Sequence, residues 1–279
     1  QVENVGSNLF KYKSIRRSHR MCSRRRHSSD KKKMNISAGK RRACVLDFDG
    51  PVADTISPWK RASTLGGTVF RFEDQETGFE DDIPVSNFAL LKVWFAVLCS
   101  AGVAVVPGSQ RCAGRVAPVQ SLVHQSYRAM YALFDDLFGK DRSFFLQRDG
   151  DLLVEGLTAR DLNDTKNPLL QRVKVLPGWE DVRPEDIIFI DDHADVYRAR
   201  AEAEGFRFVH CVRDATDLDA DSQYLVESLF QAVDGSYGAE AALDLIESHA
   251  GLPAAEHLAV MFAERAGISR RSQRRCSVQ

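Results

Sequence analysis

Short, uninterrupted apolar runs are the feature that most restricts the fold of this chain. They occupy residues 43–46, 103–106 and 187–190, and the segments 143–147 and 206–212 are also expected as strands although polar residues interrupt them. Each run has the length of a buried strand, and amphipathic segments of helical period separate most of them. Solid apolar strands joined by helices are typical of a parallel sheet covered on both faces. We therefore expect an α/β fold built on a doubly wound, Rossmann-like parallel sheet.

The segments between and after these strands predict helices. The first is expected from Pro84, a residue suited to open a helix, to Ser100. The others are expected at residues 119–138, 167–174 and 194–204, with two or three more within 222–267. These elements define an α/β core over residues 43–215 and a helical C-terminal extension over 216–279 that ends in a basic tail. Residues 51–83 have hairpin or loop character and predict a small flap, which is a minimal cap.

The formal net charge of -1 is the sum of three segments with different charges. Residues 1–42 hold 14 basic and two acidic residues, whereas residues 43–264 hold 19 basic and 37 acidic residues. Residues 265–279 add five arginines and no acid. The N-terminal arm, residues 1–42, lacks apolar periodicity, and we expect it to be disordered.

Three interpretations of the arm stay open. Clustered Lys and Arg suit nucleic-acid binding or nuclear targeting, and an Arg- and Ser-rich, acid-poor stretch also fits a mitochondrial-type transit peptide. The third interpretation is that Met34 is the true start, which would remove 11 basic and two acidic residues. Contact with nucleic acid is expected only through residues 1–42.

Hydropathy and cysteine usage restrict the compartment. The apolar stretches fall far short of the roughly 18 residues that a membrane-spanning helix needs, and no apolar stretch typical of a secretory signal follows the N-terminal basic residues. The six cysteines form no CxxC pair. We therefore expect a reducing intracellular compartment, which is cytoplasmic, or nuclear or organellar if the basic arm is real.

Two of the apolar runs end in paired acids. Asp47 and Asp49 follow the run at 43–46, and Asp191 and Asp192 follow the run at 187–190. The carboxyl ends of parallel strands meet at one edge of a sheet, where ligands bind. Converging carboxylates repel one another unless a hard divalent cation neutralises them, and Mg²⁺ accepts such all-oxygen ligands. The pattern thus indicates a Mg²⁺ site.

The residues around these acids resemble the haloacid dehalogenase superfamily of aspartate-nucleophile phosphohydrolases. The segment Leu46-Asp-Phe-Asp-Gly-Pro-Val-Ala-Asp-Thr55 is similar to the first motif of the family, Asp-x-Asp-Gly-Thr followed by Asp-Thr or Asp-Ser. The segment Ile187-Ile-Phe-Ile-Asp-Asp-His-Ala-Asp195 is similar to the fourth motif. Lys166, before Asn-Pro-Leu-Leu, fits the family's lysine at a helix start. The resemblance covers about residues 43–213.

The resemblance implies a Mg²⁺-dependent phosphoric-monoester hydrolase. Asp47 would attack phosphorus and form an aspartyl-phosphate, and Asp49 would serve as general acid and base. Lys166 would hold Asp47 and the phosphoryl oxygens by its charge. The implied Mg²⁺ ligands are Asp47, the backbone carbonyl of Asp49, Asp191 and Asp192. The implied phosphate-binding groups are Gly50, Ser109 and Lys166.

Two departures from the family pattern fall on phosphate-binding positions. Pro51 stands where Thr is usual, and Pro107 stands where the second motif has a hydroxyl, with Ser109 two residues later as a substitute. The alternative function is therefore a catalytically impaired binding or regulatory module of the same fold. For an active enzyme, the minimal cap predicts an open site that accepts a phosphorylated small molecule or macromolecule.

Overall fold

The structure is a computed structural model. It describes residues 42–54, 68–85, 87–139, 166–175, 179–213, 217–233 and 238–268. The N-terminal arm up to residue 41, the predicted strand at 143–147 and the basic tail from residue 269 lie outside the described residues.

The described elements alternate between strands and helices. The strands are β1 (Arg42–Leu46), β2 (Thr68–Asp74), β3 (Phe79–Val85), β4 (Val103–Pro107), β5 (Ile187–Asp191) and β6 (Arg207–His210). The α-helices are α1 (Phe88–Ser100), α2 (Leu122–Phe138), α3 (Asn167–Gln171), α4 (Ala194–Ala203), α5 (Leu218–Val233), α6 (Gly238–Glu247) and α7 (Ala255–Ala266). Three 3₁₀-helices cover Gln110–Val116, Arg172–Val175 and Pro184–Asp186. The strands expected at 43–46, 103–106, 187–190 and 206–212 are confirmed, with shifts of a few residues at their ends.

The sheet confirms the α/β class. Four strands in the order β4-β1-β5-β6 are all parallel. Strand β1 lies between β4 and β5, where Cys44 pairs with both Val105 and Ile188, and every residue of β1 is buried. Because β1 and β5 are neighbours, the residues that follow their carboxyl ends lie side by side.

The segment predicted as a flap, residues 51–83, ends in a hairpin that corrects the predicted start of the first helix. Strands β2 and β3 pair antiparallel, with Val69 opposite Pro84, and α1 begins at Phe88. Pro84 therefore belongs to β3 and does not open a helix. Among the described strands, β3 pairs only with β2, and a strand with one open side tolerates a residue without an N–H. The Pro84 carbonyl accepts a hydrogen bond from the Asp54 N–H at 2.8 Å.

The C-terminal helices belong to the same hydrophobic core as the sheet. Helices α1, α5, α6 and α7 pack on one another, and α5 also packs on β1, β5 and β6. Trp94 of α1 is fully buried and donates from its indole N–H to Ser228 of α5 at 2.9 Å. Ile246 of α6 and Phe262 of α7 are fully buried. Within the described residues, none of the helices has the length and apolar character required to cross a membrane.

Arg42, which the sequence assigned to the N-terminal arm, is the first residue of β1 and is buried. Its guanidinium donates to the carbonyl of Ala232 and lies 3.9 Å from the Asp186 carboxylate. Arg207 donates to the carbonyl of Gln231 at 3.0 Å. Both carbonyls lie in the last turn of α5, where cations are favourable. The sheet therefore begins one residue earlier than predicted.

Candidate active site

Three aspartates meet at the carboxyl ends of β1 and β5. One carboxylate oxygen from each of Asp47, Asp191 and Asp192 lies within 4.8 Å of the others. The strand register brings them together, because Leu46 pairs with Ile190 and the Asp47 N–H donates to the Ile190 carbonyl at 2.9 Å. The structure therefore places these three predicted site residues in one cluster.

Lys166 joins this cluster from the start of α3. Its Nζ lies 2.9 Å from Oδ2 of Asp47 and 2.6 Å from Oδ2 of Asp191, and the residue is only 2% exposed. The ammonium also lies 4.9 Å from the ring centroid of Tyr197, at a distance typical of a cation–π contact. Lys166 has a left-handed backbone with φ of 53°, a conformation that costs a side-chain-bearing residue energy. The two carboxylates hold it in place.

Burial and charge shift the ionisation of this cluster. Burial raises the pKa of Asp47 to about 7; the Lys166 charge opposes this shift and the Asp191 charge adds to it. Burial lowers the pKa of Lys166, but the charges of Asp47 and Asp191 outweigh it, so that pKa lies above its usual range. Burial also raises the pKa of Asp192, against the opposing charge of His193. One lysine therefore does not offset the charge of two buried carboxylates and the partly buried carboxylate of Asp192.

The same residues fit a hard divalent cation. Three ionised carboxylates and one ammonium leave two negative charges, which one divalent ion would balance. Oδ1 of Asp192 is buried and has no hydrogen-bond partner among the described residues, so an oxygen is available for a ligand. All the donors are carboxylate oxygens, the type that Mg²⁺ and Ca²⁺ prefer.

The loop after β1 approaches this cluster closely. Gly50 has φ of 94°, and a Cβ added there would come within 2.6 Å of Cγ of Asp192. The loop is closed by hydrogen bonds from the Gly50 N–H to Ala53 and from the Val52 N–H to Phe48. Glycine is therefore required at this position both by the backbone conformation and by the contact.

The loop does not need an N–H from Pro51. The loop hydrogen bonds come from residues 50, 52 and 53, and the Pro51 carbonyl accepts from the buried Tyr224 hydroxyl of α5. The first departure from the family motif is thus compatible with the backbone of this loop.

Arg213, which follows β6, braces the same loop, although the sequence did not single it out. It donates to the Gly50 carbonyl at 2.7 Å and to Oδ1 of Asp54 at 2.8 Å, and its Nε lies 3.0 Å from Oδ1 of Asp221. The side chains of Arg213, Asp54 and Asp221 are at most 10% exposed. The sequence offered one signal for this role of Arg213, namely a basic residue directly after a strand with several acidic residues near it in the chain.

The end of β4 accommodates the second departure, Pro107. Pro107 pairs in register with Leu46 of β1, and the Gly108 N–H donates to the Leu46 carbonyl at 2.7 Å. Because backbone N–H groups alternate in direction along a strand, the nitrogen of Pro107 faces the side of β4 that pairs with no described strand. A Cβ at Gly108 would lie 2.6 Å from Cγ1 of Val45, so the chain passes very close to β1 here. Ser109 is buried, and its hydroxyl accepts from the Arg111 N–H at 3.3 Å.

Asp49 is paired with Arg111, a contact that the sequence analysis missed. Nε of Arg111 lies 2.9 Å from Oδ2 of Asp49, and Nη2 lies 2.7 Å from Oδ1. The guanidinium carbon also lies 4.7 Å from the ring centroid of Phe48. The Asp49 carboxylate is therefore not one of the three clustered aspartates, and its expected metal contact, through the backbone carbonyl, stays a prediction.

Asp81 of β3 brings the hairpin near this pair. Burial raises the pKa of Asp81, the charge of Arg111 opposes the shift, and the charge of Asp49 adds to it. The hairpin therefore contributes an acidic residue within electrostatic range of Asp49 and Arg111.

Comparisons of the chain with protein-family models, with curated proteins and with solved structures gave no match. The geometry of the site is therefore the basis for a functional proposal.

Proposed function

We propose that this chain is a Mg²⁺-dependent phosphoric-monoester hydrolase of the haloacid dehalogenase type, acting through an aspartyl-phosphate on Asp47. The proposal includes a doubly wound, Rossmann-like core with a minimal cap. One observation supports it above all: the buried ammonium of Lys166 lies between the carboxylates of Asp47 and Asp191, with Asp192 in the same cluster.

In the first step, a carboxylate oxygen of Asp47 attacks the phosphorus atom of the ester. The bond between phosphorus and the leaving-group oxygen breaks, and that oxygen takes a proton from Asp49. Attack of an anion on an anionic phosphate requires nearby positive charge. Lys166 supplies part of it, because its Nζ is 2.9 Å from Asp47.

In the second step, water attacks the phosphorus atom of the aspartyl-phosphate and gives its proton to Asp49. The bond between phosphorus and the Asp47 oxygen breaks, which releases phosphate and restores the Asp47 carboxylate and the protonated Asp49. Lys166 and the Ser109 hydroxyl would hold the phosphoryl oxygens. The Gly50 N–H, which the resemblance also implied for this role, donates to the Ala53 carbonyl within the loop.

Asp47, Asp191 and Asp192, with the backbone carbonyl of Asp49, would hold the Mg²⁺ ion. When bound, the ion supplies Lewis-acid charge for the phosphoryl group. Its binding is supported by the charge imbalance of the cluster and by the buried Oδ1 of Asp192, which has no hydrogen-bond partner among the described residues.

Both prolines are compatible with this function. Pro51 lies in a loop whose hydrogen bonds do not involve its nitrogen. Pro107 removes a hydroxyl, but Ser109 is buried two residues later, and its hydroxyl accepts from the Arg111 N–H, which leaves the hydroxyl hydrogen for a phosphoryl oxygen. The substrate is a phosphorylated compound, either a small molecule or a macromolecule.

The test is release of inorganic phosphate from p-nitrophenyl phosphate and from a panel of phosphometabolites by the full chain. We expect release with Mg²⁺, none with EDTA, and a loss of at least about 1,000-fold in Asp47→Asn. Asp244→Asn makes the same chemical change at an exposed position of α6 and should keep wild-type activity. If no substrate shows Mg²⁺-dependent release of phosphate, the proposed enzymatic function is refuted. The alternative function, a binding or regulatory module of the same fold, would then stand.

A further inference from the structure

Arg213 contacts the loop after β1 and helix α5 with one guanidinium group. Nη1 donates to the Gly50 carbonyl at 2.7 Å, Nη2 donates to Oδ1 of Asp54 at 2.8 Å, and Nε lies 3.0 Å from Oδ1 of Asp221. Gly50 and Asp54 belong to the loop, whereas Asp221 belongs to α5. The planar guanidinium fixes the directions of its contacts, which a flexible ammonium does not. Arg213 therefore ties two points of the loop to α5.

These contacts are shielded from water. The side chain of Arg213 is 10% exposed, and those of Asp54 and Asp221 are 3% and 0% exposed. Asp221 is held in turn by the side chain of Asn87, whose Nδ2 donates to Oδ2 of Asp221 at 3.3 Å. Hydrogen bonds between charged groups are strong, and a buried setting strengthens them further. The network therefore restricts the movement of the loop.

The hydrogen bond from Arg213 acts on the residue of the loop that lies against Asp192. A Cβ at Gly50 would lie 2.6 Å from Cγ of Asp192. The Gly50 N–H donates to the Ala53 carbonyl, so hydrogen bonds hold both peptide units that flank Gly50. In a trans peptide unit the N–H and the C=O point in opposite directions, so the Asp49 carbonyl points away from Ala53. A shift of Gly50 would therefore change both the space left for Asp192 and the direction of the Asp49 carbonyl.

We propose that Arg213 is a positioning residue of the Mg²⁺ site. It holds the loop after β1 in the conformation in which Asp192 and the Asp49 carbonyl can bind the ion. This inference rests on the proposed function, to which the ion and its ligands belong. Arg213 itself is neither a ligand nor a catalytic residue, and it acts through Gly50. Groups that orient metal ligands in this way typically change metal affinity by about 10- to 100-fold.

The experiment measures Mg²⁺ binding to the full chain by isothermal titration calorimetry, without substrate. Arg213→Lys keeps the positive charge, but a lysine cannot hold all three partners of the guanidinium in the same directions. We expect the Kd for Mg²⁺ to rise by about tenfold. The fitted stoichiometry gives the fraction of folded molecules and the fitted Kd describes those molecules, so a partly folded preparation does not imitate weaker binding.

Arg42→Lys is the matched control. The side chain of Arg42 is also 10% exposed, and its guanidinium also donates to a backbone carbonyl, that of Ala232 in α5. Arg42 lies at the start of β1, at the opposite end of this strand from the loop. Arg42→Lys should therefore lower stability but keep the wild-type Kd for Mg²⁺.

An unchanged Kd in Arg213→Lys, or an equal rise in Arg42→Lys, would overturn the positioning role while the activity of the wild type stands. If Arg213→Lys does not fold, Asp54→Asn takes its place, because it keeps the shape of the side chain and removes the charge that Arg213 contacts. An unchanged Kd in Asp54→Asn would then overturn the role. A wild-type chain that binds no Mg²⁺ would refute the metal site of the proposed function, and the positioning role with it.

Discussion

Lys166 is the residue on which the charge balance of the site depends. Its Nζ contacts the carboxylates of Asp47 and Asp191, and all three side chains are at most 7% exposed. Removing one partner from a buried ionic cluster leaves the others uncompensated, which is more costly than losing a surface ion pair.

We predict that Lys166→Met lowers the free energy of unfolding by about 3–5 kcal/mol, measured by urea denaturation at pH 7 in EDTA. Saturating Mg²⁺ should restore part of the loss, because a cation among the carboxylates replaces some of the missing charge. The same change at the partly exposed Lys92 should cost less than about 1 kcal/mol and show no recovery with Mg²⁺. Equal effects of the two variants would contradict the charge balance.

Asp47 gives a prediction for the pH dependence of stability without metal. Burial raises its pKa to about 7, whereas the unfolded chain releases this proton near pH 4. Between these values the folded state binds one proton more than the unfolded state, so this residue makes stability fall as pH rises. We therefore predict that, in EDTA, the free energy of unfolding falls less between pH 5 and pH 7 in Asp47→Asn than in the wild type. Urea denaturation at both pH values measures this difference.

Asp244→Asn, at an exposed position, should keep the wild-type pH dependence. If the free energy of unfolding falls equally between pH 5 and pH 7 in Asp47→Asn and in the wild type, Asp47 ionises normally in the folded chain.

At the level of single residues, the sequence predicted the site residues that follow an apolar strand or precede a helix. Asp47, Asp191 and Asp192 could be predicted because strand ends converge, and Lys166 because the family resemblance supplied it. The sequence did not predict Arg111, because its partner, Asp49, lies on another element. Partners of that kind depend on tertiary contact and leave no periodic pattern in the chain.

Among the elements, the loop after β1 is held by side chains from distant parts of the chain. Its Gly50 lies against Asp192, Arg213 holds the Gly50 carbonyl, and Tyr224 holds the carbonyl of Pro51. Strand β6 and helix α5 thus fix a loop that belongs to β1, and the loop in turn limits the position of Asp192.

We predict that Gly50→Ala weakens Mg²⁺ binding by at least about tenfold in isothermal titration calorimetry, because the added Cβ displaces the Asp192 carboxylate. Gly102→Ala is the control, since Gly102 also has a positive φ, 72°, but has nothing within 4 Å of an added Cβ. Both variants incur backbone strain, and Gly50→Ala adds the contact with Asp192, so Gly50→Ala should lose more stability, whereas Gly102→Ala should keep the wild-type affinity for Mg²⁺. Unchanged affinity in Gly50→Ala would show that Asp192 is free of this loop.

Strands were easier to predict than their connections. The apolar runs gave β1, β4 and β5 nearly to the residue, because buried parallel strands are apolar throughout. The helix expected from Pro84 was wrong at its start, because a proline fits both the first turn of a helix and the open side of a strand. The pairing of Val69 with Pro84, a tertiary contact, decides between them.

For the molecule as a whole, the alternation of strands and helices in the sequence predicted the α/β class. It did not predict where the C-terminal helices pack. Their apolar faces were visible in the sequence, but such a face fits a partner protein as well as the chain's own core. The burial of Ile246 and Phe262 shows that α6 and α7 cover the chain's own core. The roles expected for the basic arm, nucleic-acid contact among them, stay predictions.

The most direct test of the central claim is to trap the phosphoryl group on the chain. The full chain is mixed with Mg²⁺ and p-nitrophenyl phosphate, quenched, treated with borohydride, and mapped by mass spectrometry of its peptides. An aspartyl-phosphate is reduced to homoserine, so we predict homoserine at position 47, lost in EDTA and in Asp47→Asn. Release of phosphate with an unmodified Asp47, or homoserine at another position instead, would contradict the assignment of Asp47 as the nucleophile.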